Sequence, residues 1–166
     1  MPDAVAGLEI RLACETDVPI IVSLIRALAD YEKAAPDAVP VTETGLREML
    51  FGSSPAAEVL LACMGAEIAG YAIFFHNFSS WRGRRGLYLE DLFVRPEWRR
   101  HGIGKAIMRE LAKIAMERGC ARMEWLVLEW NRAAIDFYCS LGAKPLAEWT
   151  TLRLADTELQ ALAAQP

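Results

Sequence analysis

The sequence has few of the side chains that would hold a metal ion or form a disulfide framework. It contains two histidines and four cysteines, with no C-x-x-C pair among them. Zinc and redox motifs place such ligands a few residues apart. We therefore expect no metal site, and we expect each cysteine to be a small buried hydrophobe in a reducing compartment. The cysteines are Cys14, Cys63, Cys120 and Cys139.

Long apolar runs are also lacking. The longest stretch without a charged residue, 68–81, has 14 residues and contains His, Asn and Ser, whereas a membrane span needs about 18 apolar residues. The first ten residues carry Asp3 and no basic segment before an apolar stretch, which is unlike a signal or transit peptide. We expect no membrane association and a cytoplasmic location.

The composition is that of a globular protein. Of 166 residues, 54% are apolar and 24% charged, which predicts a single domain over 1–166 with its core at about 8–155. Alternation and helical spacing of apolar residues then indicate one α/β domain with a mixed sheet. The predicted strands are 8–13, 58–64, 67–75, 87–94, 123–128 and 149–154. A first helix is predicted to begin after Thr16 or Asp17, and three further helices to cover 42–51, 102–118 and 131–140. The remaining segments are a loop at 34–40, a polar turn at 77–86 and a helical or frayed tail.

Charge is distributed unevenly along the chain. The net charge of -4 argues against general nucleic-acid binding. Residues 82–118 nevertheless contain ten cations and five acids, so this segment is +5 and the remainder is -9. A basic centre in an acidic body suggests an anionic ligand held locally and a cationic one elsewhere.

The segment Arg99-Arg100-His101-Gly102-Ile103-Gly104 lies between a predicted strand and a long predicted helix. Two glycines allow backbone N–H groups to approach an anion, and the helix N-terminus adds partial positive charge. The segment therefore predicts a phosphate-binding loop. A Walker A loop requires glycine where Arg99 stands, and a dinucleotide fingerprint requires glycine or alanine where Ile107 stands. Both of those loops are excluded.

The remaining pattern, R-x-x-G-x-G, resembles the acetyl-CoA pyrophosphate loop of the GCN5-related N-acetyltransferase family. The strand L-Y-L-E-D-L-F-V before it and N-x(6)-Y followed by L-G-A after it resemble the same family. The resemblance implies acetyl-CoA as co-substrate and a mixed sheet of six to seven strands with about four flanking helices. The contacts it implies with acetyl-CoA are Leu92, Phe93, Val94, Arg99, Arg100, His101, Gly102, Ile103, Gly104, Lys105, Asn131 and Tyr138.

A closer resemblance is to the diamine (spermidine/spermine) branch, which includes thialysine acetyltransferases. It is carried by L-Y-L-E-D, E-W-N and the segment L-A-D-Y-E at 28–32. Arg100 and His101 depart from that branch, which leaves the exact amine open. The branch implies a polyamine, diamine or lysine analogue as substrate and a homodimer. Tyr31 and Glu32 match the branch's amine-binding positions, and the further candidate substrate contacts are Glu90, Asp91 and Trp149.

Acetyl transfer to an amine requires a neutral amine and an acid for the departing thiolate. By its match to the family, Tyr138 is predicted to be that acid. Glu90 and Asp91 are adjacent acids in an otherwise apolar strand, where an unpaired charge is costly, and Glu90 is predicted to hold the substrate ammonium and accept its proton directly or through water. Adjacent Glu90 and Asp91 would point to opposite faces of a regular strand, but a β-bulge would direct both to the substrate. A carbonyl-polarising backbone N–H near Phe93 or Val94 is also expected.

Each of these residues also has a purely structural interpretation. Glu90 could pair with Arg84, Arg85 or Arg122, Tyr31 and Glu32 could form a solvated helix end, and Trp149 could be a core residue. Two other functions stay open: an acetyltransferase for amino acids, antibiotics or protein N-termini, and an acyl-CoA-binding regulatory module without turnover.

Overall fold

The structure is a computed structural model that describes residues 5–35 and 37–166. Residues 1–4, on which part of the targeting prediction rests, and Pro36 of the predicted loop lie outside the described residues. The chain forms two compact units, 1–126 and 127–166. The first contains β1 (Leu8–Leu12), α1 (Val18–Tyr31), α2 (Glu43–Phe51), β2 (Glu58–Met64), β3 (Glu67–Ser79), β4 (Arg84–Val94), α3 (Ile103–Glu117) and β5 (Met123–Glu124); the second contains α4 (Arg132–Ser140) and α5 (Asp156–Ala163).

One mixed sheet has the strand order β1-β2-β3-β4-β5. The first four strands are antiparallel neighbours, and β5 pairs with β4 in parallel. The predicted hairpin between β2 and β3 is confirmed, with Gly65 in the left-handed conformation its turn requires. The polar turn is shorter than predicted, because backbone pairing of β3 with β4 continues out to Ser79 and Arg84.

The prediction of six to seven strands is wrong for the described chain, which has five. The predicted strand 123–128 is reduced to two residues, and 149–154 forms no strand. Its apolar residues Trp149, Leu152 and Leu154 are all more than half exposed. An apolar segment forms a strand only where a partner strand binds its backbone groups.

The two faces of the sheet are covered by different helices. Ile21 and Leu24 of α1 pack with Tyr71, Ile73 and Phe93 in a buried cluster. On α3, the fully buried side chains recur at helical spacing and include Ile103, Ile107 and Leu111. α3 contacts β1 to β4. The first three predicted helices are confirmed, and each predicted helix end agrees with the structure to within a residue or two.

In the second unit, α4 begins after Asn131, whose side-chain oxygen accepts a hydrogen bond from the backbone N–H of Ala134 at 3.2 Å. This confirms the predicted N-cap. The alanine-rich tail forms α5, so the described chain has five α-helices rather than about four.

Two of the four cysteines depart from their prediction. Cys63 and Cys120 are buried, but Cys14 and Cys139 are exposed. Cys14 lies in the turn before α1, where its backbone N–H donates to Asp17, and Cys139 lies near the end of a helix without buried residues. None of the helices described is long and apolar enough to cross a membrane.

Candidate active site

Strand β4 contains a β-bulge at Glu90. Ile73 pairs with Asp91 while the next residue of β3, Phe74, pairs with Leu89, so Glu90 has no opposite residue. Beyond the bulge, Asp91 lies on the same face of the sheet as Tyr71 and Ile73, because directly paired residues share a face. The expected bulge is therefore present. That it directs both carboxylates to a substrate stays a prediction.

Tyr71 holds the Asp91 carboxylate from the neighbouring strand. The Tyr71 hydroxyl donates a hydrogen bond of 2.9 Å to Oδ2 of Asp91, and the Tyr71 side chain is fully buried. Burial raises the pKa of Asp91 above its usual range, Glu90 adds to that rise, and the Tyr71 hydrogen bond opposes it. Burial and the charge of Asp91 also raise the pKa of Tyr71. Tyr71 cannot be recognised as a site residue from the sequence, because it lies in an apolar strand 20 residues from Asp91.

Glu32 extends this group of carboxylates to the end of α1, where it is the C-cap residue. Burial raises the pKa of Glu32, and the charge of Asp91 raises it further. The Asp91 carboxylate thus interacts electrostatically with both Glu32 and Glu90, and we call these three carboxylates the acidic cluster. Arg122, one of the partners considered for Glu90, forms its ion pair with Glu124 instead, at 2.8 Å. A cationic ligand would relieve the mutual repulsion within such a cluster.

The loop before α3 has the backbone geometry expected of an anion site. Arg100 and Gly102 both adopt positive φ angles, 64° and 80°, and Gly102 is the N-cap of α3. A Cβ at Gly102 would approach Val5 Cγ2 to 3.3 Å. The N–H of Ala106 donates to the Gly102 carbonyl, so the N–H groups of the preceding turn project towards the loop. These residues fit a pyrophosphate group.

Arg99 connects this loop to two other elements. Its Nε donates to the backbone oxygen of Val94 at 2.9 Å. Its guanidinium lies 4.4 Å from the centre of the Tyr31 ring and 5.5 Å from that of Phe93. The acidic cluster and the glycine loop are consequently neighbours, since Tyr31 directly precedes Glu32.

The outer edge of β4 is paired over only part of its length. In the described chain, β5 pairs with Leu87 and Tyr88 and with no residue of β4 beyond them. The edge from Leu89 to Val94 can therefore receive an extended ligand as an added strand. This geometry fits the contacts of Leu92 and Val94 with acetyl-CoA that the family resemblance implies.

The other predicted residues have these surroundings. The His101 ring lies 6.1 Å from that of Trp98, edge to face, and Lys105 is an exposed residue in the first turn of α3. In the second unit, the Tyr138 ring packs against Phe137 at 5.2 Å. Trp149 is 65% exposed. Among the described residues, no group of three or more His, Cys, Asp or Glu side chains could hold a metal ion.

Known proteins resemble the chain in sequence and in fold. Residues 24–143 match the family model described as the acetyltransferase (GNAT) family. The chain is 39% identical to thialysine N-epsilon-acetyltransferase of Bos taurus over 94% of this chain and 97% of that protein. It is 32% identical to L-ornithine N5-acetyltransferase of Arabidopsis thaliana over 92% and 86%. An integron cassette protein from V. cholerae shares the fold with a TM-score of 0.81 at 26% identity, over 96% of this chain and 99% of that chain.

Proposed function

The chain belongs to the GNAT acetyltransferase family, and we propose that it transfers the acetyl group of acetyl-CoA to a primary amine of a small substrate with more than one positive charge. The observation that carries this proposal is the acidic cluster of Glu32, Glu90 and Asp91 beside the glycine loop. The loop fits an anionic co-substrate, and the cluster fits a cationic acceptor.

Acetyl-CoA supplies the acetyl thioester, and the chain supplies the binding groups. The first turn of α3 and the loop from Arg99 to Gly104 would hold the pyrophosphate. The edge of β4 at Leu92 and Val94 would hold the pantetheine arm, and a backbone N–H near Phe93 or Val94 would polarise the carbonyl. Asn131, which caps α4, is assigned with Tyr138 to the acetyl-CoA contacts through the family pattern.

Proton transfer is assigned to two residues. Glu90 accepts the proton of the substrate ammonium directly or through a water molecule, since the bulge leaves this carboxylate exposed and outside the regular strand pairing. Tyr138 donates a proton to the departing thiolate, because a phenol pKa of about 10 lies near or above that of a thiol. The Tyr138 assignment rests on the family pattern, and the Glu90 assignment rests on its carboxylate at the bulge of β4.

The substrate is proposed to be a diamino acid or a diamine. Two relatives are named for thialysine and L-ornithine, and both compounds carry an α-ammonium group in addition to the terminal amine. In the acidic cluster, Glu32 and Asp91 would bind the remote ammonium while Glu90 faces the reacting amine. Each such charge-assisted contact contributes about 1.5–3 kcal/mol, or one to two decades in kcat/KM.

A matched set of amines tests this proposal with a free-thiol assay. Ornithine is compared with 5-aminopentanoic acid, which lacks only the α-ammonium, and with 1,4-diaminobutane, which lacks only the carboxylate. Spermidine and thialysine complete the set. We expect ornithine, thialysine and the diamine to exceed the monoamine by about tenfold or more in kcat/KM. Equal values for mono- and dicationic amines would refute the acidic cluster as the substrate site.

Two variants test whether Glu90 causes the preference for dicationic amines. Glu90→Gln should remove most of the advantage of dicationic amines and shift the pH–rate profile. Glu67→Gln removes one negative charge at an exposed position at the start of β3 and serves as the control for net charge. Turnover of peptide N-termini alone would redirect the substrate proposal, and acetyl-CoA binding without turnover of any amine would support the regulatory module.

The homodimer implied by the branch and the cytoplasmic location expected from the sequence remain parts of this proposal. A mass measurement in solution, made at the protein concentration of the assay, tests the dimer. A monomeric mass with full activity would refute the dimer.

A further inference from the structure

Tyr31 is the last residue of α1, and the face of its ring is covered by a cation. The Arg99 guanidinium carbon lies 4.4 Å from the ring centre, well within the range of a cation–π contact. Phe93 lies next to the same cation, with the guanidinium 5.5 Å from its ring centre and the two rings 6.4 Å apart. Tyr31 and Phe93 thus form an aromatic seat for Arg99.

A hydrogen bond fixes the orientation of the same guanidinium. Arg99 Nε donates to the backbone oxygen of Val94 at 2.9 Å. One N–H is used in this bond, and the remaining N–H groups of the planar head are held in a defined direction by the ring below it. Without the seat, a long arginine side chain would lose rotamer freedom when it binds an anion.

We propose that Tyr31 is a positioning residue of the acetyl-CoA loop, and that it acts through its ring, by holding Arg99 ready for the pyrophosphate. The amine-binding role expected for Tyr31 from its branch depends on contact with the substrate. The role inferred from the geometry depends on the aromatic face alone. This inference rests on the proposed function, because it takes the loop from Arg99 to Gly104 as the acetyl-CoA site.

Isothermal calorimetry with CoA tests the inference through a double-mutant cycle. Tyr31→Leu removes the ring and should raise the Kd for CoA by about 3- to 30-fold, the range of a cation–π contact. Tyr31→Phe keeps the ring and should stay within about twofold of the wild type. In the Arg99→Ala background, Tyr31→Leu should have little further effect, because the cation it holds is gone.

A control cycle uses Arg100, which carries the same charge one residue further along the loop and lies outside the aromatic seat. The effects of Tyr31→Leu and Arg100→Ala should multiply. Should Tyr31→Leu fail to fold, as judged by circular dichroism, Arg99→Lys keeps the charge, loses the planar head and should show the same loss of CoA affinity.

The alternatives give different results. If Tyr31→Phe is as defective as Tyr31→Leu, or if Tyr31→Leu raises the amine KM while the Kd for CoA is unchanged, the inference is overturned. Independent effects of Tyr31→Leu and Arg99→Ala would also overturn it. A wild-type protein that does not bind CoA would instead refute the proposed function itself.

Discussion

Replacing Tyr71 by phenylalanine isolates the hydrogen bond that holds Asp91. The ring stays in the buried cluster with Ile73 and Phe93. The change therefore removes only the hydroxyl, which donates a hydrogen bond of 2.9 Å to Oδ2 of Asp91. Leaving a partly buried carboxylate without its donor costs about 1–3 kcal/mol. We expect a loss of that size in the free energy of unfolding at neutral pH.

The pH dependence gives the more decisive measurement. The pKa of Asp91 in the folded protein is raised above its ordinary value of 3.8, chiefly by burial. Its favourable contribution to folding is therefore fully present below pH 3.8 and is lost as the pH rises through the folded-state pKa. The Tyr71 hydrogen bond opposes this shift, so Tyr71→Phe raises the pKa of Asp91 further. The variant should be more destabilised at neutral pH than below pH 3.8.

Urea denaturation of both proteins at the two pH values measures this difference, in which the titrations common to both proteins cancel. The cycle is repeated with Asp91→Asn, where the pH dependence of the Tyr71→Phe effect should disappear. In the enzyme assay, Tyr71→Phe should raise the KM for a dicationic amine by about tenfold, equal to 1.4 kcal/mol, without changing the Kd for CoA. A loss of stability that is the same at both pH values would refute the assignment of the hydrogen bond to the ionised carboxylate.

Three other changes have defined outcomes. Gly102→Val should reduce CoA affinity by about 1–3 kcal/mol in calorimetry, because Gly102 has a positive φ angle and lies at the start of α3; unchanged affinity would remove the loop from the site. Tyr138→Phe should lower kcat by about 10²- to 10⁴-fold with little effect on the Kd for CoA; wild-type kcat would show that another group protonates the thiolate. Arg118 donates to both carboxylate oxygens of Glu58 and lowers its pKa from 4.5, so this pair stabilises the fold above pH 4.5 and the contribution is lost as the pH falls through the folded-state pKa. Arg118→Gln should then cost up to about 1 kcal/mol at neutral pH and less in acid, as measured by urea denaturation.

Local patterns account for the parts of the fold that the sequence predicts well. The apolar residues of α3 recur at helical spacing, and Gly102 and Gly119 bound the helix with positive φ angles. The turn of the hairpin between β2 and β3 likewise contains Gly65, with a positive φ angle. These features depend on residues a few positions apart. The predicted strand 149–154 failed because its existence depends on a pairing partner elsewhere in the chain.

The acidic cluster, too, is predictable from the sequence only in part. Two adjacent acids in an apolar strand indicate a function, since an unpaired charge there is costly. Which side chain meets them depends on the register of β3 against β4, which the bulge at Glu90 shifts by one residue. Alternation cannot reveal that register, because β4 has apolar residues on both faces of the sheet around the two acids. The sequence therefore does not point to Tyr71, whose hydroxyl donates a hydrogen bond to Asp91.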